Sequence, residues 1–347
     1  MSAHIGIVSI LFDHKPEGIC TGRLVRALLD RHRLSIYTSG KAKTAFQHPR
    51  LEYLVAGHRP RKPAALFRAL AHWRGEPSSN FYLWGRRVAH LCPSVGIPDC
   101  FYGRAWPHGS LVAAAALARQ YQRPLLLHFS DPFPPPNEAE AGQRFMADLQ
   151  RMVDQAVALT FTNEETVAYQ RRFLHFDRDK AFVLNHIGPP AKVFGPPETN
   201  TDFYYLGAVG PTRPADILLA GFHRYRQRHG DARLVFVGSS AEYLRSIAPR
   251  CGGLDNVEIL PFTAQVEAKM RAAAVLLSLD ADIHPAVFTS TKIVEYLRVD
   301  RPVLAITPAG SPVDKLMTRA PDTTVVVNRY QVDAGSRWTG AGCHAPL

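Results

Sequence analysis

The sequence predicts an α/β protein built of two doubly wound units, and three observations carry that prediction. Short apolar runs alternate with stretches of helical periodicity along most of the chain. A proline- and glycine-rich cluster, HIGPPAKVFGPPETN at His186 to Asn200, interrupts the alternation near the middle, and beyond it the alternation begins again. The length of 347 residues, 46% of them hydrophobic, suits two cores better than one. The expected division is a first unit at 1–190, a linker at 191–202, a second unit at 203–330 and an irregular tail at 331–347.

In the first unit IGIVSI (5–10) reads as a buried strand. No basic leader precedes it and no small-residue cleavage site follows, so it is read as core and not as a signal peptide. HKPEGICTG (14–22) is expected to be a loop leading into the helix GRLVRALLD (22–30). RLSIYTS (33–39), LLLHF (125–129), ALTFT (158–162) and AFVLN (181–185) continue as parallel strands, and SLVAAAALARQYQ (110–122) as a helix. The second unit opens on FYYLGAV (203–209), followed by the helix ADILLAGFHRYRQRHG (215–230) and RLVFVGSS (233–240). EYLRSIAP, VEIL (257–260), AQVEAKMRAAA (264–274), VLLSL (275–279), TKIVEYLR, PVLAIT and TVVV (324–327) complete the alternation. Two such units are expected to face a cleft, with ligands at the carboxyl ends of the strands.

Composition excludes several classes. No run of about 18 uncharged apolar residues is present, so no membrane-spanning helix is expected. Five scattered cysteines without a CxxC pair argue against a zinc site or a disulfide framework and favour a reducing cytoplasm. The net charge of +11 is uneven, with 24 Lys and Arg against 15 Asp and Glu in residues 1–190 and 17 against 15 beyond. The first part therefore suits an anionic partner: a nucleotide, a lipid surface or a nucleic acid. A nucleic-acid role is not expected, because the aromatic platforms and folds that read strands or grooves are missing.

The most informative stretch is FTSTKIVEYLRVDRPVLAIT, Phe288 to Thr307. Thr289, Ser290 and Thr291 suit a helix start, where unpaired N–H groups attract phosphate oxygens. Lys292 adds a charge beside them, and Glu295 lies one turn on, able to accept two hydrogen bonds from neighbouring ribose hydroxyls. A solvated Lys–Glu pair explains the same spacing equally simply.

This segment resembles the donor-nucleotide segment of GT-B-fold glycosyltransferases, in particular the retaining group that builds bacterial polysaccharides and glycolipids (glycosyltransferase family 4-like, group 1). YLGAVGPTRPADILLAGF (205–222) is similar to that family's first strand, glycine loop and helix, with Arg213 where a diphosphate-binding lysine usually stands. RLVFVGSS resembles its "VGxG" strand end at Gly238, and NVEILPFTAQ its base-binding turn at Phe262. In the first unit, LLLHFSDPF resembles the strand ending in the family's His-Asp segment, here His128 and Asp131, and FTNEETVAYQRRF (161–173) the helix before the interdomain linker. The order of elements matches over roughly 300 residues. Three positions depart from the pattern. Val287 replaces the Glu that usually holds the donor sugar, Ala208 replaces a cation, and the tail QVDAGSRWTGAGCHAPL lacks the closing helix.

The resemblance implies a nucleoside-diphosphate-sugar transferase that needs no metal or other cofactor. Glu295 would hold the ribose, Arg213, Lys292 and Ser290 the diphosphate, and Phe262 the base. His128 and Asp131 would be the catalytic pair, and the loop glycines Gly18 and Gly22 would approach the acceptor or diphosphate. The acceptor is expected to be a saccharide or a lipid-linked saccharide. A relic that binds nucleotide without transferring sugar is the alternative favoured by the three departures. DAD at 280–282 mimics a D-x-D metal motif but comes too late in the chain, and loop carboxylates explain it. His128 also reads as a buried strand histidine, and Asp131 before Pro132 as a turn cap. HRPRKPAALFRALAHWRG (58–75) carries Arg59, Arg61, Lys62, Arg68 and Arg74 among apolar anchors. It fits either a solvated helix or contact with an anionic membrane, the latter giving a cytoplasmic protein peripheral to the inner face.

Overall fold

The computed structural model describes residues 2–40, 46–57, 84–85, 87–88, 90–105, 107–136, 143–197, 201–263, 265–281, 283–320 and 324–328. The basic segment 58–75 and the tail 331–347 lie outside them. The chain forms two compact units. One comprises Met1–Pro189 with Val287–Thr291, the other Pro190–Ala286 with the chain from Lys292 onward. Residues 287–291 thus pack with the first unit, not with the second as the sequence suggests.

The first unit is a parallel sheet of β1 (His4–Val8), β2 (Arg33–Ser39), β3 (Leu51–Ala56), β4 (Cys100–Ala105), β5 (Leu125–Phe129), β6 (Ala158–Phe161) and β7 (Ala181–Val183). Their spatial order is β3-β2-β1-β4-β5-β6-β7. Helices α1 (Lys15–Leu29), α2 (Gly109–Tyr121), α3 (Gln143–Gln155) and α4 (Glu164–Gln170) connect them. Side chains alternate across the sheet: Ile36 and Tyr37, adjacent on β2, enter different apolar clusters. The strand order reverses between β1 and β4, the switch point where this architecture places its ligands.

Helix α1 begins seven residues before the expected start, so Gly18 and Gly22 lie in a helix and not in a loop. Pro16 in the first turn pre-sets the backbone for the helix. The glycines serve packing. A Cβ on Gly18 would sit 1.7 Å from the carbonyl oxygen of Leu11, and one on Gly22 2.5 Å from Asp13 Oδ1. They let the helix lie directly on the turn that follows β1.

The second unit repeats the plan with β8 (Asp202–Leu206), β9 (Arg233–Val237), β10 (Val257–Leu260), β11 (Val275–Leu279), β12 (Val303–Thr307) and β13 (Thr324–Asn328). All pairings are parallel, in the order β10-β9-β8-β11-β12-β13, with the switch point between β8 and β11. The helices are α5 (Asp216–His229), α6 (Ala241–Cys251), α7 (Val266–Ala272), α8 (Thr291–Tyr296) and α9 (Pro312–Thr318). Tyr204 and Tyr205, neighbours on β8, again enter opposite cores. Ser240 caps α6 by accepting a hydrogen bond from the backbone N–H of Tyr243. At its other end Gly252 takes a left-handed φ of 99°. No helix among the described residues is long and apolar enough to cross a membrane.

Candidate functional site

In the second unit the ends of β8 and β11, with the start of α8, assemble a charged cluster at the switch point. Tyr205 is fully buried opposite Leu277 of β11, and its hydroxyl donates to the carbonyl oxygen of Ala208 at 3.0 Å. Lys292 Nζ donates to that hydroxyl at 3.1 Å and lies 4.6 Å from the ring centroid. The Arg213 guanidinium lies near enough to act electrostatically on both groups, and its buried Nε has no hydrogen-bond partner. Gly207, with φ of 143°, makes room for the amine, since a Cβ there would stand 2.4 Å from Lys292 Nζ. Burial, reinforced by Arg213 and opposed by Asp280 and Glu295, lowers the Lys292 pKa to about 7. The amine is thus held partly uncharged at this end of the sheet.

Around it the strand ends are tied together. Ser239 donates to the carbonyl oxygen of Gly207 at 2.5 Å, and the Gly238 N–H donates to Leu260 at 2.9 Å. Gly238 approaches Phe262, whose ring is 84% exposed and offers a stacking face. The structure therefore brings Arg213, Lys292 and Glu295 to one end of this sheet, with Gly238 and Phe262 adjoining across β9 and β10. Glu295 is half-buried on α8, one turn from Lys292. That helix has six residues, too short for a strong dipole, so its start contributes less than the sequence suggests. Ser290 belongs with the first unit.

Asp280 is nearly buried and accepts a hydrogen bond from Thr307 Oγ1 at 2.5 Å. Asp282 lies outside the described residues. No group of three potential metal ligands exists among the described residues.

The first unit gathers a second polar cluster at the ends of β4 and β5. His128 is 1% exposed. Its Nδ1 lies 2.9 Å from Thr160 Oγ1, and its Nε2 has no partner. Burial, then the nearby Arg104 and His186, push its pKa well down, so the ring is neutral. Arg104, 4% exposed, donates through Nε to Thr21 at 3.0 Å and through Nη2 to Glu17 at 3.2 Å. Ser130 Oγ stands 2.5 Å from both Glu17 Oε1 and the carbonyl oxygen of Ala105. Burial and the neighbouring Glu17 raise Asp131 to about 7. Glu17 takes the guanidinium, and the neighbouring Asp131, without it, holds its proton near neutrality.

Glu17, Arg104 and Tyr205 were not anticipated. Arg104 had a visible signal, a charge inside the otherwise uncharged run CFYGRA, whereas nothing local marks Tyr205 among the tyrosines of FYYL. Val287 is 3% exposed. Its carbonyl accepts from Asn163 Nδ2 and Thr166 Oγ1, both at 2.9 Å, so this position is held in the core of the first unit.

No family model matches the chain, and none of the curated proteins is significantly similar to it. Solved structures do resemble it. Anabaena Alr3699/HepE in complex with UDP aligns with a TM-score of 0.64 at 14% identity, over 94% of this chain and 86% of that one. A glycosyltransferase from Rickettsia africae ESF-5 aligns at 0.62 and 12%, over 94% and 84%. WaaG, a glycosyltransferase involved in lipopolysaccharide biosynthesis, aligns at 0.60 and 14%, over 94% and 86%. The shared architecture is the GT-B fold, two Rossmann-like α/β units.

Proposed function

We propose, from the GT-B fold as premise, that the chain is a glycosyltransferase that moves a sugar from a nucleoside diphosphate to a saccharide or lipid-linked acceptor. The observation that carries this reading is the Tyr205–Lys292–Arg213 cluster over Gly207 at the second switch point. Lys292 stands there against a backbone that lacks a Cβ, with Arg213 as its charged neighbour, an arrangement suited to a diphosphate. Structural neighbours of the same fold have been seen with UDP and UDP-glucose, which supports the class of donor.

In this reading Phe262 stacks on the base beside Gly238, and Glu295 accepts both ribose hydroxyls. When the bond from the sugar's anomeric carbon to the diphosphate breaks, charge grows on the leaving oxygen. Lys292 and Arg213 meet that charge, so we propose a reaction without a required metal. His128 and Asp131 serve the sugar and acceptor, with the neutral His128 Nε2 available as a hydrogen-bond partner. Retention of configuration, a role in surface polysaccharide or glycolipid synthesis, and attachment to the inner membrane face through residues 58–75 complete the proposal.

Binding and transfer are tested by titrating nucleoside diphosphates and their sugars in excess chelator. Glu295→Ala is expected to weaken nucleoside diphosphate binding by about 1.5–3 kcal/mol, the range of charge-assisted hydrogen bonds, while changing melting little. Unchanged affinity with a small loss of stability would return Glu295 to the role of a surface ion pair. Loss of binding on chelation, restored by manganese, would replace the cation-based site with a metal site. The buried, backbone-anchored Val287 favours one further reading, a nucleotide-binding relic. In that case the wild type binds nucleotide and transfers sugar to no acceptor, and His128→Ala alters nothing.

A further inference from the structure

Tyr205 sits where its hydroxyl engages two groups at once. The hydroxyl proton points to the Ala208 carbonyl, so a lone pair of the oxygen is free to accept from Lys292. The ring also lies under the amine, adding a cation–π attraction along the same approach. A lysine side chain has four rotatable bonds and no fixed direction of its own. Here its end is pinned between a hydroxyl and the bare backbone of Gly207.

We propose that Tyr205 is the positioning residue of the donor-diphosphate site, its hydroxyl and ring holding the Lys292 amine at Gly207, near the Arg213 guanidinium, so that both cations meet one diphosphate. This inference rests on the donor site proposed above. It also accounts for Ala208, where the resemblance leads one to expect a cation. The amine delivered from α8 stands next to that residue, so charge reaches the loop from another element.

The groups facing Lys292 are Tyr205 from β8, Arg213 from the following loop, Asp280 from the end of β11 and Glu295 from α8. Burial and Arg213 oppose the charged amine, and the tyrosine oxygen supports it by accepting its hydrogen bond. A diphosphate prefers the charged amine, so affinity is expected to fall as pH rises through about 7. Removing the tyrosine oxygen lowers the amine's pKa, and the fall then begins at lower pH.

The test is calorimetric titration of the full chain with UDP, GDP, ADP and dTDP from pH 5.5 to 9. The tightest binder is then carried into variants, with its nucleoside as control. Tyr205→Phe keeps the ring and is expected to weaken the nucleoside diphosphate about tenfold, leave the nucleoside within about twofold, and move the pH midpoint downward. Lys292→Met is expected to remove the pH step, and adding Tyr205→Phe to it to cost much less than tenfold. Gly207→Ala leaves the tyrosine in place but displaces the amine, so it should reproduce the selective loss even if Tyr205→Phe folds poorly. Equal affinity and an unmoved midpoint in Tyr205→Phe, or additive losses in the double variant, would overturn the positioning role alone. Failure of the wild type to bind any of the four diphosphates would overturn the donor site and this inference with it.

Discussion

Asp131 and Lys292 carry opposite charges, yet burial drives both toward their neutral forms near pH 7. For Asp131 the sign follows from linkage. Its folded pKa of about 7 exceeds the ordinary aspartate value of 3.8, so the stability tied to its protonated form is intact below pH 4 and lost as pH rises through 7. Asp131→Asn is therefore expected to stabilise the protein above pH 7, by about 2 kcal/mol after allowance for its partial exposure, and to do little at pH 4. Thermal melts across that range check it. An increment independent of pH would mean that Asp131 is already solvated. The Asn variant also removes the ionisable group, so a transferase that depends on it should lose turnover more than nucleotide affinity.

Helix ends show the same local determinism at the next scale. Helix α6 stops at Gly252, which holds φ of 99° and packs where a Cβ would meet the His223 ring at 2.9 Å. Gly252→Ala combines a left-handed strain of about 1 kcal/mol with that contact, and a loss of about 1–3 kcal/mol is expected in denaturant unfolding. A loss below about 0.5 kcal/mol would mean that the helix end re-forms elsewhere. Elements bounded by such signals were legible in advance. VLLSL and LLLHF are strands over their full expected spans, because parallel strands buried on both faces read as near-continuous apolar runs, and VEIL, half-buried at the sheet edge, is one as well. The opposite case is α1. Gly18 and Gly22 look like loop residues until the Leu11 carbonyl is seen beside them, a contact between positions that local pattern cannot reveal. β3 and β4 escaped notice because Glu52 and Arg104 interrupt their apolar pattern. In the candidate site, Arg213, Lys292 and Glu295 could be read from motif order. Tyr205, Glu17 and Arg104 could not, since their roles come from partners 87, 87 and 83 residues away in sequence.

For the whole molecule, charge and connectivity matter most. The surplus of cations in residues 1–190 predicts co-sedimentation with anionic but not neutral vesicles, weakening at high salt. Replacing Arg59, Arg61 and Lys62 with Ser should reduce it by up to about 1 kcal/mol per charge. Equal binding to both kinds of vesicle would remove the membrane contact, and comparable salt-sensitive binding to generic DNA would point to nonspecific polyanion affinity. The connectivity bears on recombination. The chain leaves the second unit after Ala286, spends five residues with the first and returns at Lys292. Asn163 and Thr166 hold the Val287 carbonyl during that excursion. A chimera made by grafting a foreign second unit at residue 190 would import a different 287–291 segment without the side chains fitted to it. Two buried donors would lose their acceptor geometry. Such hybrids should be made with residues 163–166 and 287–291 taken from the same parent.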